Sequence, residues 1–222
     1  MRLAGATISG SVQLRDSRDP SVRAMDYSGV VIWLMPASGP KPDIAGIHAR
    51  MVQKNKTFTP HVLAIPVGST VDFPNFDPIF HNAFSSYNGQ IFDVGLYPPG
   101  TNRVVQFSRP GIVRVFCNIH STMSAVIAVL ESPWFAVTRR DGAFNVSEVP
   151  PGVYTLQVFH ERATQATLDA LKQTVHFGPE GLRLASISVS ESGYLAIPHK
   201  NKYGHDYSPA PDARGVYPAV RK

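Results

Sequence analysis

The feature that most restricts this chain is its two-residue periodicity. β-Branched and aromatic residues gather in short runs bounded by Gly, Pro, Asn and Asp, the pattern of strands joined by tight turns. Strands are predicted at Thr7–Leu14, Gly29–Met35, Met51–Phe58, Val62–Pro66, Thr70–Pro74, Asn82–Ser85, Arg103–Phe107, Gly111–Cys117, Ala125–Glu131, Gly142–Val146, Gly152–His160, Val175–Phe177 and Leu184–Val189. Between them stand explicit turn signals: Val67-Gly68-Ser69, Asn88-Gly89, Pro98-Pro99-Gly100, Arg109-Pro110-Gly111, Asp141-Gly142 and Pro150-Pro151-Gly152. The one helical exception is Thr167–Lys172, where a Thr cap precedes helix formers and Leu168, Leu171 and Val175 fall at helical spacing. The expectation is an all-β protein.

Composition narrows this further. The 222 residues are 43% hydrophobic and only 17% charged, so a packed core is expected and general disorder is not. A single cysteine excludes an internal disulfide framework and any zinc site needing two thiolates, but it permits one catalytic or metal-binding thiolate. No apolar run reaches the ~18 residues of a membrane span. The opening MRLAGATISGSVQL lacks the apolar core of an export signal, so export would require a leader already removed. The formal charge of +5 comes from 21 scattered Lys and Arg, which favours acidic protein partners over nucleic acid.

Chemistry concentrates in Val113-Arg114-Val115-Phe116-Cys117-Asn118-Ile119-His120-Ser121-Thr122-Met123. Alternation puts Val113, Val115 and Cys117 on one face, with the thiol at the inner end of a strand and His120 and Met123 on the following loop. His81, upstream in Asn75-Phe76-Asp77-Pro78-Ile79-Phe80-His81-Asn82, supplies a second imidazole from a neighbouring strand. Two imidazoles, one thiolate and a thioether make the ligand set of a mononuclear blue-copper site, because soft sulfur favours Cu(I) while imidazole tolerates Cu(II). Taken singly, the same residues have plainer readings: Cys117 as a small buried hydrophobe, Met123 as core. Phe80, Phe116 and Ile119 would surround the ligands with apolar groups and exclude water.

The segment Val62–Leu130 resembles the cupredoxins, the plastocyanin and amicyanin group. The likeness rests on IPVGSTVDFPNFD, then HN, then PPGTNRVVQFSRPGIVRVFCNIHSTMSAVIAVL, and the short C-x-x-H-x-x-M loop is closest in style to amicyanin. It covers about a third of the chain. The resemblance implies a Greek-key sandwich holding one type 1 copper, with His81 and His120 bound through imidazole nitrogen, Cys117 through thiolate and Met123 as the long axial ligand. It also implies that Asn82 ties the His81 loop to the Cys117 loop by hydrogen bonds, with Phe80 and Asn118 as the other neighbours of the ligands.

A second resemblance involves Phe135–Phe144 and VPPGVYTLQVFHE, which look like the carboxypeptidase regulatory-like, or transthyretin-like, β-sandwich. Its opening strands would be Ile8–Val12 and Val30–Leu34. The expected organisation is therefore a discontinuous small sandwich, residues 1–40 plus 132–195, with a cupredoxin domain at 41–131 inserted between its second and third strands and a polar tail at 196–222. The competing assignment gives the N-terminal strands to the cupredoxin.

The remaining histidines read as structural: His48 and His61 as surface or packing residues, His160 and His176 as bonded locally. His199 and His205 in the tail are open between a second metal site, a module seal and a solvated loop. Four protein ligands leave no position for substrate, so the expected function is electron transfer and not enzymatic turnover. The redox partner, by resemblance, is a c-type cytochrome or periplasmic dehydrogenase, and the location is periplasmic or otherwise extracytoplasmic. Two other classes remain open: an extracytoplasmic binding or structural module, and a copper carrier.

Overall fold

A computed structural model describes residues 5–86, 89–195 and 198–207. Asn88 of the predicted Asn88-Gly89 turn, Ile197 at the start of the tail and everything beyond Tyr207 lie outside the described residues. The architecture is all-β, with four main sheets, one small hairpin sheet and two short helices.

The first strand, Ala6–Arg15, lies antiparallel to Ala143–Val149 and parallel to Leu182–Arg183 and Ile187–Ser190. A second sheet runs in the order Phe135–Val137, Val31–Pro36, Gly152–Phe159, Gln173–Phe177, all antiparallel. Between these two sheets the alternate residues Ile8, Val12, Ile32, Leu34, Val146, Leu156 and Val189 make one core. The N-terminal strands thus pair with segments more than a hundred residues later in the chain.

The intervening residues build the other pair of sheets. One has five strands in the order Val62–Pro66, Ser124–Leu130, Gly111–Phe116, Phe84–Ser85, Phe92–Asp93; the other has three, Val104–Phe107, Ser69–Asp72 and His48–Arg50. Their core contains Phe73, Val71, Phe107, Val113, Val115 and Ile127, and it also contains Cys117 and Met123.

The strand Ser124–Leu130 explains how the two sandwiches meet. Its sequence SAVIAVL has no polar alternation because both faces are covered, as expected of a central strand. Ala125, Ile127 and Val129 point into the core with Cys117, whereas Val126, Ala128 and Leu130 join Val31, Val62, Ala64 and Phe159 in a third cluster between the sandwiches.

Several predicted elements differ in detail. Met51–Phe58 is not one strand but a hairpin, Val52–Lys54 with Thr57–Thr59, whose turn residues Asn55 and Lys56 both take positive φ. The helix spans Gln165–Ala170, capped by the Thr164 hydroxyl accepting the Thr167 N–H; Thr167 is inside the helix, and Val175 belongs to the next strand. A four-residue helix at Pro20–Arg23, capped by Asp19, has no counterpart in the periodicity reading. The predicted Asp141-Gly142 turn is present, and its carbonyl accepts from the Val12 N–H at 2.9 Å.

Candidate metal centre

The hairpin formed by Gly111–Phe116 and Ser124–Leu130 closes with Phe116 opposite Ser124, which leaves residues 117–123 as the connecting loop. The loop is drawn tight by its own backbone. Cys117 N–H donates to the Met123 carbonyl at 3.1 Å, and Met123 N–H donates to the His120 carbonyl at 3.1 Å. Cys117 and Met123 are both fully buried at the neck, while His120 is half-buried on the rim.

His81 arrives from the other side. Its backbone forms a two-bond antiparallel bridge with Tyr97, N–H to carbonyl at 3.2 Å and the reverse at 2.9 Å. Tyr97 is itself anchored, its hydroxyl donating to the Phe73 carbonyl at 2.8 Å and accepting from the Gln53 side-chain amide.

The two imidazoles and the thiol converge. Cys117 Sγ lies 3.9 Å from His81 Nδ1 and 3.6 Å from His120 Nδ1. The three donor atoms all fall within 4.8 Å of one another, and the imidazole centroids are 4.8 Å apart at 62°. Both rings present Nδ1 to the sulfur at the shared interior.

Burial pushes the Cys117 thiol up from its ordinary value, an effect partly opposed by the backbone N–H groups of Ile119, Asn82 and His120 that face the sulfur. Burial, followed by the nearby His81 and Lys56, pushes His120 down to about 4, so its ring is neutral at physiological pH and can act as a Lewis base. Two imidazoles and a polarised, dry thiol with no hard oxygen donor among them suit copper or another thiophilic transition metal better than calcium or magnesium.

The other predicted neighbours behave differently from one another. Asn82 reaches the thiol by its backbone N–H, whereas its side-chain amide donates to Asp93 Oδ1 at 2.7 Å. Asn118 Oδ1 accepts the Lys202 N–H at 2.9 Å. Phe116 is buried, but Phe80 and Ile119 are 50% and 38% exposed, so they line the rim and do not seal the interior.

Periodicity reading overlooked two contributors. Asp77, four residues before His81, accepts from His81 Nε2 at 2.7 Å in a buried contact. The i, i+4 spacing of Asp77 and His81 within one loop was the available signal. The second contributor is the tail segment 198–207, which lies against the Cys117 loop. Tyr207 Oη donates to the Cys117 carbonyl at 2.7 Å, His199 stacks on Phe116 with centroids 4.2 Å apart, and Lys202 Nζ pairs with Asp93 at 2.7 Å. His199 and His205 join no group of three potential ligands among the described residues. A polar, proline-bearing tail carries no periodicity that would announce such contacts.

Outside this centre, His160 is buried against Glu191 at 2.8 Å, a partner 31 residues away and not a local one, and His48 pairs with Asp72 on the surface.

No model of a known protein family matches the sequence, and no curated protein matches it. Among solved structures, the chain is similar to a purple cupredoxin from Nitrosopumilus maritimus, at 23% identity over 37% of this chain and 99% of that one, with a TM-score of 0.34. It is also similar to a copper-containing nitrite reductase from Thermus scotoductus, at 23% identity over 51% of this chain and 27% of that one, with a TM-score of 0.36. An amicyanin variant matches at 15% identity over 36% of this chain and 80% of that one, with a TM-score of 0.35.

Proposed function

We propose that His81, Cys117, His120 and Met123 hold one type 1 copper ion and that the protein is an electron carrier and not an enzyme. The observation that carries this reading is the convergence of two Nδ1 atoms and one buried thiol within 4.8 Å. When bound, copper supplies a one-electron Cu(I)/Cu(II) couple to a docked redox protein. The chain's own contribution is to hold the donors. The strand end fixes Cys117, the Tyr97 bridge fixes the backbone of His81, and the tight 117–123 loop presents His120 at the rim with Met123 beneath.

The docking surface is the exposed apolar rim contributed by Phe80, Ile119, Phe76 and Leu96. The first two directly precede the histidine ligands, and Leu96 precedes the Tyr97 that pairs with His81. Small apolar contacts of this kind suit short-lived encounters, and a formal charge of +5 favours an acidic partner such as a c-type cytochrome or a periplasmic dehydrogenase. Copper chemistry of this kind favours a periplasmic or other extracytoplasmic location; no helix among the described residues is long and apolar enough to cross a membrane.

The domain reading proposed with it is a copper-holding cupredoxin at 41–131, inserted into a transthyretin-like sandwich made of 1–40 and 132–195, with 196–222 as a tail. Its support is the pairing of Ala6–Arg15 with Ala143–Val149 and of Val31–Pro36 with Gly152–Phe159. Titration of the metal-free protein with Cu(II) tests the function. A strong visible thiolate-to-copper absorption, saturating at one equivalent and missing from Cys117→Ser, is expected; copper binding without that band, or with it retained in Cys117→Ser, would refute the assignment.

A further inference from the structure

The loop before His81 contains a buried carboxylate that an electron carrier does not obviously need. Asp77 is 6% exposed, and three donors converge on its side chain: Asn55 N–H at 2.6 Å, Lys56 N–H at 2.8 Å and His81 Nε2 at 2.7 Å. An ionised carboxylate only accepts hydrogen bonds, so Nε2 must carry the proton. In a neutral ring that leaves Nδ1 as the lone-pair nitrogen, and Nδ1 is the atom facing Cys117 Sγ at 3.9 Å.

The two backbone donors have an unusual origin. Asn55 and Lys56 take φ of 56° and 55°, consecutive left-handed positions that Asn tolerates and Lys seldom adopts, in the turn between Val52–Lys54 and Thr57–Thr59. A two-residue left-handed turn directs successive N–H groups to one side, forming a concavity that suits an anion. Asp77 occupies it. The carboxylate is fixed from its own side as well, since Asp77 N–H donates to Asn75 Oδ1 at 3.0 Å and the Asn75 amide donates to the Ile79 carbonyl at 2.8 Å. The hairpin is tied to the same loop through Gln53 N–H to the Pro74 carbonyl and Phe76 N–H to the Gln53 carbonyl.

We propose that Asp77, braced by the Asn55-Lys56 turn, is the positioning residue of His81: it locks the imidazole in the Nε2–H tautomer, with the Nδ1 lone pair turned toward Cys117. The consequence for copper rests on the reading in the preceding section, because a carboxylate on the far nitrogen of a ligating histidine orients the ring and raises its basicity. The tautomer itself does not depend on a metal.

The test is a long-range ¹H–¹⁵N correlation spectrum of the full, metal-free chain in alkaline solution, recorded at a pH where the ring ¹⁵N shifts themselves show His81 to be neutral. Wild-type His81 should show one tautomer, protonated at Nε2. Asp77→Asn should mix the two tautomers, while Lys56→Gly, which keeps both the turn and its N–H groups, should leave the wild-type pattern intact. In copper-loaded protein, Asp77→Asn should weaken Cu(II) affinity about 10–100-fold. A wild-type ring protonated at Nδ1, or a folded Asp77→Asn whose His81 remains a pure Nε2–H tautomer, would overturn the proposal. If Asp77→Asn does not fold, the wild-type spectrum decides alone. Failure to form a blue copper site would instead refute the electron-carrier reading, leaving the tautomer result to stand by itself.

Discussion

Cys117 answers to three demands at once. It completes the Val113, Val115, Cys117 face of a core strand, it donates its N–H across the loop neck to Met123, and its sulfur meets two imidazole nitrogens. Spacing in the sequence was enough to nominate it together with His120 and His81, because each of these donors sits at a strand end or loop that a sandwich brings to one place. Met123 separates packing from ligation. It is fully buried among Phe and Val side chains, so Met123→Ala should cost about 2–5 kcal/mol in urea unfolding of the metal-free protein. Met123→Leu conserves volume and should cost less than about 1.5 kcal/mol, yet it should alter the visible spectrum of the copper-loaded form if the thioether is a ligand. Equal spectra for Met123→Leu and wild type would remove Met123 from the ligand set. Asp77 and Tyr207 were less legible: the i, i+4 spacing to His81 is the one signal for the first, the second lies in a tail without pattern, and three-dimensional convergence reveals their roles.

At the level of elements, the apolar run Ser124–Leu130 shows why a strand can be read from sequence while its surroundings cannot. Alternation normally tells which face is buried, and this strand has none because each face meets a different core. The Val52–Thr59 hairpin shows the opposite failure. A tight hairpin turn usually announces itself with glycine, and here Asn55-Lys56 takes that geometry with Asp77 receiving its N–H groups, so the segment reads as one strand. The turn at Asp141-Gly142 does obey the rule. Gly142 has φ of 77°, and a Cβ there would lie 2.1 Å from the Val12 carbonyl oxygen. Gly142→Ala should therefore destabilise by at least about 1–2 kcal/mol through left-handed strain alone, read as a lower urea midpoint. An unchanged midpoint would mean that this turn relaxes freely and does not fix the pairing of Ala6–Arg15 with Ala143–Val149.

Across the described residues, the two sandwiches meet through an apolar cluster built on Val31, Val126, Ala128 and Phe159, with the His61–Glu161 pair also running between them. His61 Nε2 lies 2.8 Å from Glu161 Oε1 and His61 Nδ1 lies 3.1 Å from the Ser124 carbonyl, so the contact spans both units. The Glu161 hydrogen bond raises His61 above its ordinary 6.5. Burial raises Glu161, but the hydrogen bond and charge of His61 outweigh it and bring the carboxyl below 4.5. The histidine contribution is then complete below pH 6.5 and is lost as pH rises through the raised folded value. The carboxylate contribution is complete above pH 4.5 and is lost as pH falls through the lowered folded value. The difference in melting temperature between wild type and His61→Gln should thus be greatest between pH 4.5 and 6.5 and shrink in alkaline solution. A difference that grows with rising pH would contradict this. The contact was invisible in sequence because His61 and Glu161 are separated by 100 residues and neither sits in a motif.

Whether the Cys117 sulfur binds copper covalently decides between the proposed electron carrier and a plainly structural loop. Electron paramagnetic resonance of the oxidised, copper-loaded protein measures it directly, since strong thiolate covalency narrows the copper hyperfine splitting along the unique axis. A type 1 centre would give a narrow splitting, lost in Cys117→Ser; a wide splitting of the tetragonal kind in the unaltered protein would refute the electron-carrier proposal.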